Sequence, residues 1–260
     1  MAEQKGIIQI VGTIEGLNFY LRNGKPVVRR SGGGFTGKAI KTKPSMLKVR
    51  LNGKEFGAVS RAKKLIGLSV LGALEGYKNT TLHGRLMSML QQVKVHDLIS
   101  DPGDRTVEKG FYTCEGRKLM TEFIFEPEQA VLPLFASMPV VSDVGKKCEC
   151  DAIVADITSF KSYVSTVGFE YFVVDYDFEK QDYCTHFAEK LLVKKGDVLP
   201  ERVTFEIDNL PTYFVTRMVF LAVLYYDDKN GKLALISEQG MASLRCLKVY
   251  SNGIDNHDND

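Results

Sequence analysis

Nine basic side chains, Arg29, Arg30, Lys38, Lys41, Lys43, Arg50, Lys54, Arg61 and Lys64, crowd one short stretch in which Glu55 is the single carboxylate. Guanidinium forks and ammonium groups at this density bind phosphate or carboxylate oxygens. On nucleic acid, such contacts release counterions from the backbone and carry no sequence information. A glycine run, Ser31-Gly32-Gly33-Gly34, sits among the first of these cations. It reads as part of a loop from Ser31 to Pro44 that could follow a phosphate backbone. The same loop contains Gly32-x4-Gly37-Lys38, which resembles a nucleotide-cradling loop. Ala39 stands where a hydroxyl should reach magnesium, so nucleotide hydrolysis is not expected and no cofactor is implied.

Other residues could do different chemistry. Cys148 and Cys150 alternate, as do Cys184 and His186. In strands each pair shares a face, and four such groups could hold zinc. The C-x-C spacing argues against a structural knuckle, so no zinc is expected; the carboxylates Asp175 and Asp177 are a second, divalent-metal candidate, and no metal is expected there either. Asp175 and Asp177, with Glu170 and Glu179 nearby, could serve as paired carboxylates for acid–base work; a solvated acidic rim is the commoner outcome. The four histidines, His83, His96, His186 and His257, have no nucleophile partner by spacing, and G-x-S-x-G is absent. No catalytic residue is assigned.

The charge is strongly split along the chain. Residues 1–94 hold 17 Lys/Arg against 4 Asp/Glu, a net of +13, whereas 95–260 hold 17 against 28, a net of −11. The whole-chain value of +2 hides this. Two surfaces with different partners are implied. The basic part suits DNA or RNA through the phosphate backbone, or an acidic surface on its own chain, another copy or another subunit. Five cysteines, odd and sparse, read as reduced thiols. No run of 18 apolar residues and no signal-peptide core occur, so no membrane partner is expected. The expected location is the cytoplasm or a phage particle assembled there.

These residues need a scaffold. Residues 6–11 read as a strand, 12–16 as a turn and 17–21 as a second strand. Asn23-Gly24 is a hairpin turn signal, with 26–29 returning. A helix is expected from about Ser45 into the low seventies. It places Phe56, Val59, Ile66, Val70 and Ala73 on one side and Arg50, Lys54, Arg61 and Lys64 on the other, with Lys63 as an exception on the apolar side. Gly53, Gly57, Gly67 and Gly72 lie within it and could break it near 53 or 67. Thr80 or Thr81 caps a second helix running to His96. Beyond a turn at 101–104 the pattern reads as strands: 111–114, 118–125, 148–157, 168–176, 185–193, 202–207, 213–226, 232–237 and 243–250.

The N-terminal pattern is also familiar. It reads Lys5-Gly6-Ile7-Ile8, Gly12-Thr13-Ile14-Glu15-Gly16-Leu17-Asn18-Phe19-Tyr20 and Val28-Arg29-Arg30-Ser31-Gly32-Gly33, then Arg50-Leu51-Asn52-Gly53-Lys54-Glu55-Phe56-Gly57 and Ala62-Lys63-Lys64-Leu65. Over residues 5–95 this resembles a family of uncharacterised small proteins from Bacteroidetes genomes and their phages or mobile elements. The resemblance implies a phage or element structural component, or a nucleic-acid-associated accessory protein. It carries over no site residues.

The expected architecture is α+β: a small N-terminal β-meander with a helical hairpin, followed by an antiparallel β-sandwich or barrel-like domain. The boundaries are 1–100 for the basic module, 105–250 for the acidic β domain and 251–260 for a disordered tail. The expected function is a non-enzymatic structural or assembly protein. The alternatives are a homo-oligomer without nucleic-acid binding, and an enzyme using acidic strand ends.

Overall fold

The computed structural model describes residues 2–3, 10–32, 36–73, 81–126, 135–151, 163–198, 200–229, 231–236 and 242–252. The chain divides into two compact units, Met1–Arg50 and Leu51–Asp260, each taken by itself. The architecture is α+β, with an N-terminal antiparallel sheet, a helical region and C-terminal antiparallel sheets.

In the first unit, β1 (Ala2–Glu3), β2 (Gly12–Ile14), β3 (Leu17–Arg22) and β4 (Lys25–Arg30) form one antiparallel sheet in the order β1-β4-β3-β2. Asn23 and Gly24 have φ of 51° and 76°. This is the left-handed pair that a two-residue hairpin demands. The expected strand at 6–11 is not formed at Ile10 and Val11, and 6–9 lie outside the described residues. Instead Gly12–Ile14, expected to be turn, folds back on Leu17–Phe19 across the two-residue Glu15-Gly16 turn. The loop expected from Ser31 to Pro44 contains helix α1 (Gly37–Thr42), because Thr36 caps it by accepting from the Ala39 N–H. A 3-10 turn at Pro44–Met46 leads into α2 (Leu47–Ala73). Among the described hydrophobic side chains of this unit, Val27 alone is buried.

The second unit is organised in layers. Its helices are the rest of α2, α3 (Leu82–Val95), α4 (Val107–Gly110) and α5 (Cys114–Thr121). α2 runs unbroken through all four glycines. Its interior face is Val59, Ala62, Leu65, Ile66 and Val70, with Glu55 and Ser69 buried among them. Phe56, expected inside, is 57% exposed. Glu55 is drawn inward in its place by Lys94 Nζ at 2.6 Å and the Gly103 N–H at 2.7 Å. The side chain of Ala73 lies outside the described residues. Lys63, the exception on the apolar side, meets His83 Nδ1 at 2.8 Å. The pairs 55–94 and 63–83 run in opposite sequence directions, so α2 and α3 are antiparallel.

Residues 111–114 and 118–125, expected as strands, carry no strand. Thr106 and Thr113 accept from the N–H groups of Lys109 and Gly116 and nucleate α4 and α5. Glycines allow the close approach that follows. A Cβ on Gly110 would stand 2.2 Å from the Val93 carbonyl oxygen, and one on Gly116 would stand 2.0 Å from that of Gly110.

The strands follow: β5 (Val140–Ser142), β6 (Lys147–Asp151), β7 (Thr166–Asp177), β8 (Asp182–Phe187), β9 (Leu191–Lys194), β10 (Arg202–Glu206), β11 (Thr216–Lys229), β12 (Lys232–Leu235) and β13 (Ala242–Ser251). The stretch expected as one strand at 185–193 is two, β8 and β9, which pair with successive halves of β7. The far part of the 148–157 strand lies outside the described residues. β7 and β11 pair from Thr166 to Tyr176 and from Thr216 to Tyr226 at the centre of a six-stranded antiparallel sheet, with β13 and β12 on the far edge of β11. Strand alternation splits their side chains between two cores. Phe172, Val174, Tyr176, Met218, Phe220 and Leu224 pack with the helices. Phe169, Tyr171, Val173, Val219, Leu221 and Val223 pack with a three-stranded sheet in the order β10-β6-β5. Burial on both faces explains why β7 and β11 read as near-continuous apolar runs.

Among the described residues no helix is long and apolar enough to cross a membrane. Residues 253–260 lie outside the described set.

Candidate nucleic-acid interface

The nine basic residues divide by position. In the first unit, Arg29 and Arg30 are neighbours on β4, so their side chains emerge from opposite faces of the sheet. Arg29 stands opposite Asn18 and holds its guanidinium 5.6 Å from the centre of the Tyr20 ring. Arg30 stands opposite Leu17. Lys38 and Lys41 are three apart on α1, hence on adjoining positions of one side. Lys43 closes that helix with its backbone N–H on the Ala39 carbonyl. None of these five has a carboxylate partner among the described residues.

Arg50 has a different role. Its Nη1 donates to the carbonyls of Ile40 at 2.7 Å and Lys43 at 3.0 Å. It ties the first turn of α2 to the end of α1 and so positions Lys41 and Lys43. In the second unit, Arg61 and Lys64 lie exposed on the solvent side of α2. Lys54 is also exposed but pairs with Asp104. A pair so open to water is worth under about 1 kcal/mol and yields readily to a competing anion.

Arg22 and Lys25 belong to the same basic stretch but stand outside the nine candidates. The hairpin register sets them opposite each other, on the face that carries Asn18, Tyr20 and Arg29. Strict alternation outward from the Asn23-Gly24 turn was the signal for them.

The candidates for other chemistry come together only in part. Asp175 is bound by Arg217 in a bidentate pair, Nε to Oδ1 at 2.6 Å and Nη2 to Oδ2 at 2.7 Å. Arg217 is 2% exposed, lies over the Phe214 ring and also donates to the carbonyls of Pro211 and Val144. His186 Nε2 stands 3.6 Å from Asp175 Oδ2. Asp177 accepts from the backbone and side-chain nitrogens of Lys180, which hold its carboxyl below the usual range. Glu170, on the opposite face of β7, pairs with Lys190 at 3.3 Å. Cys148 and Cys150 are buried in the three-stranded sheet with their sulfurs 3.9 Å apart, whereas Cys184 and His186 lie on β8 of the other sheet. Among the described residues no three metal-ligating side chains gather.

An open cleft of about 170 Å³ lies at this end of the central sheet, lined among others by Asp175, Asp177, Asp182, Tyr183, Tyr213 and Phe214. Glu108 adds to its negative field. Burial, then the charges of Asp177 and Glu179, push the Glu108 carboxyl above its ordinary value.

No protein-family model, curated protein or solved structure matches the chain.

Proposed function

We propose that the protein is a non-enzymatic structural or assembly component whose basic N-terminal module binds the phosphate backbone of nucleic acid. The observation behind this reading is the set Arg29, Arg30, Lys38, Lys41 and Lys43. These are five cations without a carboxylate partner among the described residues, in a 50-residue unit that holds 10 Lys/Arg against 2 Asp/Glu. Self-repulsion on this scale is relieved by a polyanion. Aromatic side chains are few there, which favours backbone contact over stacking on bases and gives little sequence preference. A phage virion or mobile element is the setting proposed for such a component, as the N-terminal resemblance implies. In the finer architecture proposed with it, a β-meander and helical hairpin precede an antiparallel sandwich. The test is titration of two duplexes of unrelated random sequence with the full chain at low salt. Equal affinities support the reading; no binding to either refutes it.

A second reading has one observation in its favour, the acidic and aromatic cleft beside Asp177 and Asp182. It offers an anionic host for the basic unit of another copy, giving a homo-oligomer without nucleic acid. Oligomeric mass that falls with rising salt in the absence of DNA distinguishes it.

A further inference from the structure

We infer that one face of the β3–β4 hairpin, bearing Asn18, Tyr20, Arg22, Lys25 and Arg29, lies along the backbone of duplex nucleic acid, and that Arg30 does not. This rests on the reading above and specifies its surface.

The register pairs Arg22 with Lys25, Tyr20 with Val27 and Asn18 with Arg29. Same-face neighbours on a strand stand about 6.6–6.8 Å apart. The strip therefore carries two cations at the hairpin tip and a cation with an amide about 13 Å away, with the Tyr20 ring and the buried Val27 side chain between them. Amide and phenol groups also hydrogen-bond phosphate oxygens, beside the stronger charge-assisted contacts of the cations.

The other face has the opposite character. Ile14, Leu17, Phe19, Leu21, Pro26 and Val28 share it, and Arg30 is its one charge. The hairpin thus sorts its cations by face, which diffuse attraction to a polyanion does not require.

The shape fits as well. β2 reaches only to Phe19 and β1 only to Val27 and Val28, so among the described residues the tip is a two-stranded ribbon. A ribbon of this width is what a duplex major groove admits. With one aromatic on the strip, and Arg29 already over its ring, backbone contact is favoured over a stacked single strand.

Arg29 and Arg30 give an internal control, since alanine at either removes the same charge one residue apart. The full chain and its R29A, R30A, K25A and R29K variants would be titrated with random-sequence duplex DNA across a salt series, with circular dichroism confirming the fold. R29A and K25A are each expected to lower the slope of log affinity against log salt by about 0.9, the value of one phosphate contact. R30A should leave the slope unchanged, and R29K should restore it. Equal losses for R29A and R30A, with wild type binding normally, would overturn the face assignment. Wild type that fails to bind at all would remove the underlying reading too, a result distinct from the first. If R29A loses its fold, K25A against R30A makes the same comparison.

Discussion

Arg217 and Asp175 carry the sharpest energetic consequence at the scale of single residues. Their bidentate pair is buried, and Arg217 also holds the Val144 carbonyl of a left-handed turn in which Asp143 and Val144 have φ of 49° and 52°. Removing one partner strands the other charge. Arg217→Met should therefore cost about 3–5 kcal/mol in denaturant unfolding. Neither residue could be paired from the sequence, because their contact depends on the register of β7 against β11, 42 residues apart. Glu108 gives a pH test. Burial, with Asp177 and Glu179, raises its carboxyl above the ordinary 4.5, so the folded state binds that proton more tightly than the unfolded chain. Its charge therefore erodes stability as pH rises from below 4.5 through the raised value. Glu108→Gln should melt higher than wild type at pH 7, with the advantage shrinking as pH falls towards 4. Asp97 works in the opposite sense. Burial would raise it, but the N–H groups of Thr106, Ser100 and Ile99 outweigh burial and hold it low. Its contribution is full above the unfolded value of 3.8 and is lost as pH falls through the folded one.

Glycine use separates two kinds of element. Gly53 and Gly67 in α2 have open space where a Cβ would stand, whereas Gly110 meets the Val93 carbonyl. Gly67→Ala should then stabilise by about 0.5–1 kcal/mol through helix propensity. Gly110→Ala should cost about 3 kcal/mol by forcing α4 away from α3. Thermal melts of the two variants shifting in opposite directions would confirm the contrast. Elements with a local signal were legible in advance: the Asn23-Gly24 hairpin, the 3.6-residue period of α2 and α3, and the apolar runs of β7 and β11. α4 and α5 were not, since Phe111, Met120 and Phe125 can be read as strand positions until Thr106 and Thr113 are recognised as caps. Phe56 was misplaced because a helical wheel cannot foresee that Glu55 is satisfied inside by Lys94 and Gly103. The same limit affects the basic set. Its existence is plain from composition, but Arg50 supports α1 rather than facing solvent, and the alternation that sorts Arg29 from Arg30 required the hairpin register.

The whole molecule is divided by charge as well as by contact. The first 50 residues carry a net of +8 and residues 51–260 a net of −6. A unit in which Val27 is the one buried hydrophobic side chain among the described residues gains little from a core there, so its surface chemistry dominates what it does. The central claim is that this surface meets phosphates. The most direct measurement is the salt dependence of duplex DNA binding by the full chain, beside a variant with Lys38, Lys41 and Lys43 changed to Gln. Wild type should give a log–log slope of about −5, from about six phosphate contacts (Arg22, Lys25, Arg29, Lys38, Lys41 and Lys43) at about 0.9 each, and the triple variant a slope shallower by nearly 3. A flat dependence, or identical slopes for the two proteins, would contradict it.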